Sequence, residues 1–283
     1  MSESRQERDN RDARRRVPGV GRLLAVASGK GGVGKSTVTV NLALALAAAG
    51  RAVGVLDADI HGPNVPLLLG VRRRERAKGL AFMSIGGTLP DAQRPRPLER
   101  YGLAVLSLAL FVGEEQHLLP DNTALAGRLI YQLLFDAGWG PLDYLLIDLP
   151  PGTGEPQATL ARQVALDGVV LVVTPQDLAL LDTTRSLQMF RDAGAPILGV
   201  VENMSYFVCP HCGERVEVFD RSGNDWAVRD AGGPLLGEVP LDLAISRAAN
   251  AGRPVLVTAP GSPQAAAFHA IAAEVERRLE ARH

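Results

Sequence analysis

Residues 28–37, with the sequence SGKGGVGKST, could bind the phosphates of a nucleotide. They contain the pattern G-x-x-x-x-G-K-[ST] at Gly29, Gly34, Lys35 and Ser36. Glycines allow successive backbone N–H groups to turn towards phosphate oxygens, and the N-terminus of a following helix adds a favourable partial charge. We expect Lys35 to contact the β- and γ-phosphates and the Ser36 hydroxyl to bind Mg²⁺.

The rest of this loop is expected to complete the phosphate site. Thr37 is expected to contact the α-phosphate. The remaining contacts are assigned to the loop residues Gly29, Gly31, Gly32, Val33 and Gly34.

The same glycines also fit G-x-G-x-x-G, the pattern of a dinucleotide-binding dehydrogenase. Asp57 follows about twenty residues later, where such a fold places its acid. Three features favour the phosphate loop instead. They are the Lys-Ser pair after the last glycine, the second lysine at position 30, and Asp148 in LLIDLPPGTG.

Carboxylates at the ends of apolar runs are candidates for metal binding and catalysis. Asp148 ends one run as a Walker B aspartate does, and Asp57 ends another, so both are predicted to hold Mg²⁺. Asp59, in LDADIHGPN, is predicted to orient the attacking water, although a solvated acid pair at a strand end is the alternative. Gly152, in PPGTG, is expected to bring a backbone N–H to the γ-phosphate.

Cys209 and Cys212 are the only cysteines of the chain and lie in the turn sequence CPHCG. Two thiolates are half of a tetrahedral site, so the site is either shared between subunits or does not hold metal stably. Zinc and an iron–sulfur cluster suit four thiolates equally, and a redox pair or a structural pair remains open. His211 could be a further ligand, and a solvent-facing turn residue is the alternative.

Short apolar runs alternate with helical stretches and should position these residues. The continuous runs predict a sheet buried on both faces, and the alternation predicts an α/β P-loop NTPase fold, with a mostly parallel central sheet and helices on both faces. Strands are predicted at 23–28, 52–57, 103–110, 144–150, 168–174, 196–203 and 234–240. Helices are predicted at 35–49, 123–137, 155–165, 177–193, 242–251 and 262–281.

Two segments do not follow this alternation of strands and helices. Residues 71–102 are rich in Arg, Pro and Gly and are predicted to form a surface excursion or a hairpin. Residues 1–18 alternate arginines and acids and are predicted to be a disordered tail, with a basic nucleic-acid arm as the alternative. Residues 19–283 show neither repeats nor linker composition, so we expect a single ATPase domain.

Composition limits the partners. The 283-residue chain is 46% hydrophobic, enough for a sizeable core, and its net charge of −1 favours neither nucleic acid nor a membrane surface as a partner. No apolar run reaches the roughly 18 residues that span a bilayer, and no signal peptide is recognised, so we expect a cytoplasmic protein. The apolar face of the last predicted helix favours packing on the sheet over membrane binding.

The loop SGKGGVGKST, with its extra Lys30, resembles the deviant Walker A motif of the MinD/ParA group of ATPases. Within that group the chain resembles the Mrp/ApbC-type iron–sulfur cluster carriers. The resemblance covers most of residues 23–275 and rests on LDADIHGPNVPLLLG, LDYLLIDLPPGTG, VVTPQDLAL, LGVVENMSYFVCPHCG and PLLGEVPLD.

The resemblance implies a homodimer that sandwiches ATP and Mg²⁺ between its subunits. Lys30 would reach the partner's nucleotide and act in catalysis with Lys35 and Asp59, and Asn203 would face the base. Cys209 and Cys212 of both subunits would meet at the two-fold axis and hold one [4Fe–4S] cluster.

The function expected from these features is ATP-dependent carriage of a labile [4Fe–4S] cluster to apoproteins, with slow ATP hydrolysis. The alternative is a MinD/ParA-like positioning ATPase, a switch without a cluster. That class needs a membrane helix or a basic DNA surface, which the near-neutral charge and the mixed final helix do not favour.

Overall fold

A mostly parallel eight-stranded sheet forms the centre of the structure, a computed structural model that describes residues 14–59, 62–71, 94–110, 123–175, 180–219 and 233–282. Its strands are β1 (Val20–Ala27), β2 (Val53–Asp57), β3 (Leu98–Arg100), β4 (Leu103–Ser107), β5 (Leu142–Asp148), β6 (Gly168–Val173), β7 (Ile197–Glu202) and β10 (Leu235–Glu238). The order across the sheet is β10-β7-β6-β1-β5-β2-β4-β3, and β3 alone pairs antiparallel, with β4. A separate hairpin consists of β8 (Phe207–Val208) and β9 (Arg215–Val216).

Helices cover both faces of this sheet. They are α1 (Lys35–Ala48), α2 (Val65–Leu68), α3 (Thr123–Phe135), α4 (Glu155–Gln163), α5 (Leu180–Asp192), α6 (Leu243–Asn250), α7 (Val255–Thr258) and α8 (Pro263–Glu280). The chain moves in one direction across the sheet from β1 to β2 and in the other from β5 to β6 and β7. Right-handed crossovers therefore place α1 on the face opposite α4 and α5. This confirms the predicted α/β P-loop architecture.

The core lies between these layers. Every residue of β2 and β6 is buried, as expected for strands covered on both faces. Helix α1 is buried on nearly all sides because it packs between the sheet and α8. On α8, Phe268, Ile271 and Val275 are fully buried, so the predicted packing of the final helix against the domain is confirmed.

Several boundaries differ from the prediction. The run predicted as a strand over 103–110 leaves the sheet at Ser107 and continues as a 3₁₀ turn at Leu108–Leu110. The short helices α2 and α7 were not predicted, because four residues carry too little periodicity to detect. Of the segment 71–102, its C-terminal end forms a hairpin through Tyr101 and Gly102, both at positive φ, while residues 72–93 lie outside the described structure.

The described part of the predicted tail contacts the domain. Arg15 pairs with Val164 in a parallel bridge, its guanidinium carbon lies 4.6 Å from the centre of the Phe135 ring, and Val17 is buried in the core. The guanidinium of Arg15 packs on an aromatic ring, and the Val17 side chain packs in the core. A count of charges along the sequence does not reveal either contact. Residues 1–13 lie outside the described structure. Within the part of the chain that is described, no helix is long and apolar enough to cross a membrane.

Candidate functional site

The loop between β1 and α1 has the conformation that its glycines allow. Gly32 and Gly34 have φ values of +85° and +80°, a left-handed region in which other residues are strained. The loop ends at the first turn of α1, at the carboxyl edge of the sheet, where β1 lies between β5 and β6. This is a point at which the direction of strand addition reverses, the usual ligand position in such sheets.

The packing of the loop against α5 requires a glycine at position 29. A Cβ at this position would lie 2.6 Å from the backbone nitrogen of Thr183, near the start of α5. The glycine therefore allows the loop to approach α5 closely, in addition to its predicted contact with phosphate. Gly31, by contrast, has room for a Cβ, whose closest neighbour would be the Pro151 ring at 3.9 Å.

Lys35 and Ser36 converge on Asp148, as the prediction of a shared nucleotide and Mg²⁺ site requires. Lys35 Nζ lies 2.8 Å from Asp148 Oδ1, and the Ser36 hydroxyl donates to Asp148 Oδ2 at 2.6 Å. Asp148 is fully buried at the end of β5, and Lys35 is 6% exposed. The cation and the hydroxyl are thus already held beside the carboxylate.

Thr39 is a member of this cluster that the motif did not identify. Its hydroxyl donates to Asp148 Oδ1 at 2.8 Å and lies 3.0 Å from the Lys35 carbonyl. Thr39 follows Lys35 by four positions, so both point to the same side of α1. This four-residue spacing is the sequence pattern from which the place of Thr39 in the cluster could have been predicted.

Asp57 lies directly beside Asp148, because the two residues are register partners at the ends of β2 and β5. Its carboxylate accepts hydrogen bonds from the backbone N–H of Asp59 at 3.1 Å and from the Ser107 hydroxyl at 3.2 Å. Burial, followed by the charge of Asp148, raises the pKa of Asp57 well above its usual range.

This donor set fits Mg²⁺. Hydroxyl and carboxylate oxygens are the ligands that Mg²⁺ prefers. The two buried carboxylates repel each other in the protein alone, and a divalent cation would relieve that repulsion. Ser36, Asp57 and Asp148 therefore have the chemistry of Mg²⁺ ligands, and their binding of the ion stays a prediction.

Asp59 is buried beyond the end of β2, and its carboxylate accepts a hydrogen bond from the Gly62 N–H at 3.1 Å. This bond connects Asp59 to the segment that precedes α2. Its assignment to catalysis stays a prediction.

Gly152 makes a backbone contact in this structure, and its contact with a γ-phosphate stays a prediction. Its N–H donates to the Ser28 carbonyl at 2.9 Å and so does not face the phosphate loop's cavity. The PPGTG segment continues beside the end of β1, and Gln157 Nε2 donates to the Pro150 and Pro151 carbonyls. A contact between this N–H and a γ-phosphate would require the bond to Ser28 to break.

Asn203, directly after β7, contacts the backbone of the phosphate loop. Its Nδ2 donates to the Val33 carbonyl at 2.8 Å, and a Cβ at Gly34 would collide with the same amide. The residue is buried, and its backbone N–H donates to the Val173 carbonyl. Contact with the base stays a prediction; the contact with the loop backbone had no signal in the sequence.

Lys30 and Thr37 lie at the rim of the loop. Both are partly buried, and the Lys30 carbonyl accepts a hydrogen bond from the Ser28 hydroxyl at 3.0 Å. Thr37 occupies the first turn of α1, where its carbonyl accepts a bond from Asn41. Contact of Lys30 with a partner's nucleotide and of Thr37 with the α-phosphate stay predictions.

Cys209 and Cys212 lie in the turn of the β8–β9 hairpin. The turn is closed by the Gly213 N–H, which donates to the Cys209 carbonyl at 2.9 Å, and by the Cys209 N–H, which donates to Glu214. Both thiols are free; Cys209 is partly exposed and Cys212 exposed. Hydrogen bonds from the backbone of Cys212 and then of His211 lower the pKa of Cys209, which favours the thiolate that binds metal.

The hairpin offers half of a metal site. No group of three or more His, Cys, Asp or Glu side chains able to hold a metal lies together in the described ranges. His211 is exposed in the turn. The hairpin strands and the residues after them carry exposed valines: Val208, Val216 and Val218 each keep 44–46% of their surface in contact with solvent.

Comparisons with known proteins agree with this combination of a phosphate loop and a cysteine pair. A family model described as ParA, NUBPL iron-transfer P-loop NTPase, matches residues 19–276. The chain is 40% identical over 269 residues to the iron-sulfur cluster carrier protein of Aquifex aeolicus, covering 95% of this chain and 71% of that protein. It is 40% identical over 266 residues to the iron-sulfur cluster transfer protein NUBPL of Mus musculus, covering 93% and 79%.

Solved structures show the same fold. A nucleotide-binding protein in complex with ADP from Archaeoglobus fulgidus has a TM-score of 0.70 and 34% identity, over 91% of this chain and 94% of that one. The cell division ATPase MinD of Pyrococcus furiosus has a TM-score of 0.67 and 28% identity, over 91% and 99%.

Proposed function

Because the chain belongs to the family of ParA, NUBPL-type iron-transfer P-loop NTPases, we propose that it is an ATP-dependent carrier of iron–sulfur clusters. Its phosphate loop, Lys35 and Asp148 are those of an ATPase. One observation carries the proposal: a solvent-accessible pair of free cysteines, of which Cys209 has a lowered pKa, supplies only half of a cluster site on such an ATPase.

We propose that a second copy of the chain supplies the other half. A two-fold axis brings identical patches together, so two hairpins would provide four thiolates from Cys209 and Cys212. Four thiolates are the ligand set of a [4Fe–4S] cluster. The exposed valines beside the thiols support this contact, since a dimer interface would bury them.

The nucleotide site is assigned residue by residue. Lys35 and the loop from Gly29 to Thr37 would bind the phosphates, with Ser36, Asp57 and Asp148 holding Mg²⁺, which neutralises phosphate charge when bound. Asp59 would orient the attacking water. Lys30 would complete the site of the partner subunit, and hydrolysis would be slow because it waits for that contact.

The fate of the cluster follows from its position. Thiolates on an exposed hairpin are open to exchange, so the cluster would be labile and would pass to apoproteins that lack one. Free, exposed thiols suit a reducing compartment, so we place the protein in the cytoplasm. Residues 19–283 would form one ATPase domain, in keeping with a single buried cluster that extends from Val17 to Leu279.

A transfer assay tests this proposal. Protein reconstituted anaerobically with iron and sulfide is mixed with an apo-enzyme whose activity needs a [4Fe–4S] cluster, with and without ATP. We expect activity to appear with the wild type and not with Cys209→Ala, which should still bind ATP. A positioning ATPase would activate no acceptor, and its ATP-dependent behaviour would be the same in Cys209→Ala.

A further inference from the structure

A polar cluster joins the ends of β7 and β10 beside the cysteine hairpin. Glu202 and Glu238 are register partners at these ends. The Ser205 hydroxyl lies 2.7 Å from a carboxylate oxygen of each. Glu202 and Ser205 are buried, so their contact is shielded from water, and the contact with the partly buried Glu238 joins the second strand end to it.

Arg215 connects this cluster to the hairpin. Its Nη2 donates to both carboxylate oxygens of Glu238, at 2.9 and 3.0 Å, and its guanidinium carbon lies 3.8 Å from the centre of the Tyr206 ring. Arg215 pairs with Val208, the residue before Cys209. The guanidinium thus connects β9, and through its pairing with β8 the hairpin that carries the thiols, to the edge strand of the sheet.

The same strand end is connected to the phosphate loop. Asn203 follows Glu202 directly, and its side chain holds the Val33 carbonyl inside the loop at 2.8 Å. A displacement of the loop on binding a nucleotide would move Asn203 and with it the end of β7. The Glu202–Ser205–Glu238 contacts would then pass this shift to Arg215.

We propose that Arg215 is a positioning residue, which couples the nucleotide site to the cysteine pair through its ion pair with Glu238. This inference deepens the proposed function and rests on it for its biological meaning: the state of the nucleotide would set how the thiolates are presented. Arg215 is neither a cluster ligand nor a nucleotide-site residue in the proposed function, so its removal should uncouple the two sites without removing either.

The test measures alkylation of the thiols in the metal-free protein, with and without Mg-ATP. In the wild type we expect ATP to change the alkylation rate by about fivefold or more, the lower range of measured couplings between sites. In Arg215→Ala and Glu238→Gln that change should fall below about twofold. The nucleotide-free rate and the affinity for ATP should stay at wild-type values.

Two controls separate coupling from structure. Arg277→Ala removes an exposed Arg–Glu pair on α8, far along the chain from the hairpin, and should leave the response to ATP unchanged. If Arg215→Ala disrupts the hairpin, its alkylation rate without nucleotide will rise. The response of Glu238→Gln to ATP then decides whether the ion pair couples the sites. This variant keeps Arg215 and a side chain of the same size at position 238.

The inference is overturned if the wild-type rate does not respond to ATP, or if Glu238→Gln keeps the full response. Since no cluster is present in the assay, its failure is distinct from that of the proposed function. A protein that carries clusters but shows uncoupled thiols would refute only the inference, and a coupled protein that accepts no cluster would refute only the proposed function.

Discussion

Lys35 Nζ and Asp148 Oδ1 lie 2.8 Å apart and are both buried, so the lysine of the phosphate loop is paired with the carboxylate that ends β5. The pair draws together the first turn of α1 and the end of β5. A buried charge that loses its partner is costly, whereas an exposed pair contributes little.

Asp148→Ala should therefore destabilise the protein by about 3–5 kcal/mol and abolish ATP hydrolysis. Lys35 would be left buried without its carboxylate, and Ser36 and Thr39 would lose an acceptor. Urea unfolding without nucleotide measures the effect. Arg277→Ala, at an exposed pair, should cost at most about 1 kcal/mol, and an equal loss in both variants would contradict this account.

Asp57→Asn should change how stability depends on pH. The raised pKa means that the folded protein keeps a proton on Asp57 that the unfolded chain releases near the ordinary aspartate value of about 4. Stability is therefore full below that value and falls as pH rises towards the raised pKa, by at most about 1.4 kcal/mol per pH unit. Urea unfolding without Mg²⁺, over a series of pH values, should give a flatter profile for the variant; parallel profiles would show that Asp57 carries no proton.

Gly29→Ala and Gly31→Ala should differ sharply although both lie in the phosphate loop. At Gly29 the new Cβ would overlap the backbone of α5, and such overpacking costs about 1–3 kcal/mol. At Gly31 the nearest atom would be at ordinary contact distance, so stability should stay at the wild-type value. Thermal unfolding of the metal-free protein measures both, and equal stability of the two variants would refute the close contact with Thr183.

Cys209 should react at lower pH than an ordinary thiol. The two largest causes of its lowered pKa, the backbone N–H groups of Cys212 and His211, remain in Cys212→Ala, which loses only the smaller effect of the Cys212 thiol and reports Cys209 alone. Its alkylation rate should reach half of its maximum below the usual thiol pKa of about 8.5. Unfolding the variant in urea removes the turn and should restore the ordinary profile. A folded profile at or above the ordinary value would contradict the hairpin geometry.

Local sequence predicted the parts of the site that one motif contains. Lys35, Ser36 and the ends of the apolar strands were recognisable because a phosphate loop and buried strands leave short-range patterns, and the register of β2 with β5 then brings Asp57 beside Asp148. Contacts made between distant segments left no such pattern. The amide of Asn203 on the loop backbone depends on how β7 is placed in the sheet.

Contacts between distant segments also explain the features of Gly152 and of the N-terminal residues that the sequence did not predict. Gly152 was expected to face the nucleotide, but its N–H is used by the Ser28 carbonyl, a bond set by the path of two loops past each other. Arg15 and Val17 were assigned to the tail from charge pattern alone, while the ring contact of Arg15 depends on α3 and the burial of Val17 depends on the core. Pairings of this kind become visible only in the folded chain.

The central claim is that Cys209 and Cys212 from two chains hold one cluster. We would reconstitute the protein anaerobically with iron and sulfide, and measure bound iron, bound sulfide and molecular mass together. The account predicts about four iron and four sulfide ions per two chains, in a dimer whose visible thiolate-to-iron absorption disappears in Cys209→Ala and Cys212→Ala. A monomer that holds its own cluster, or bound iron that survives loss of both thiols, would contradict it.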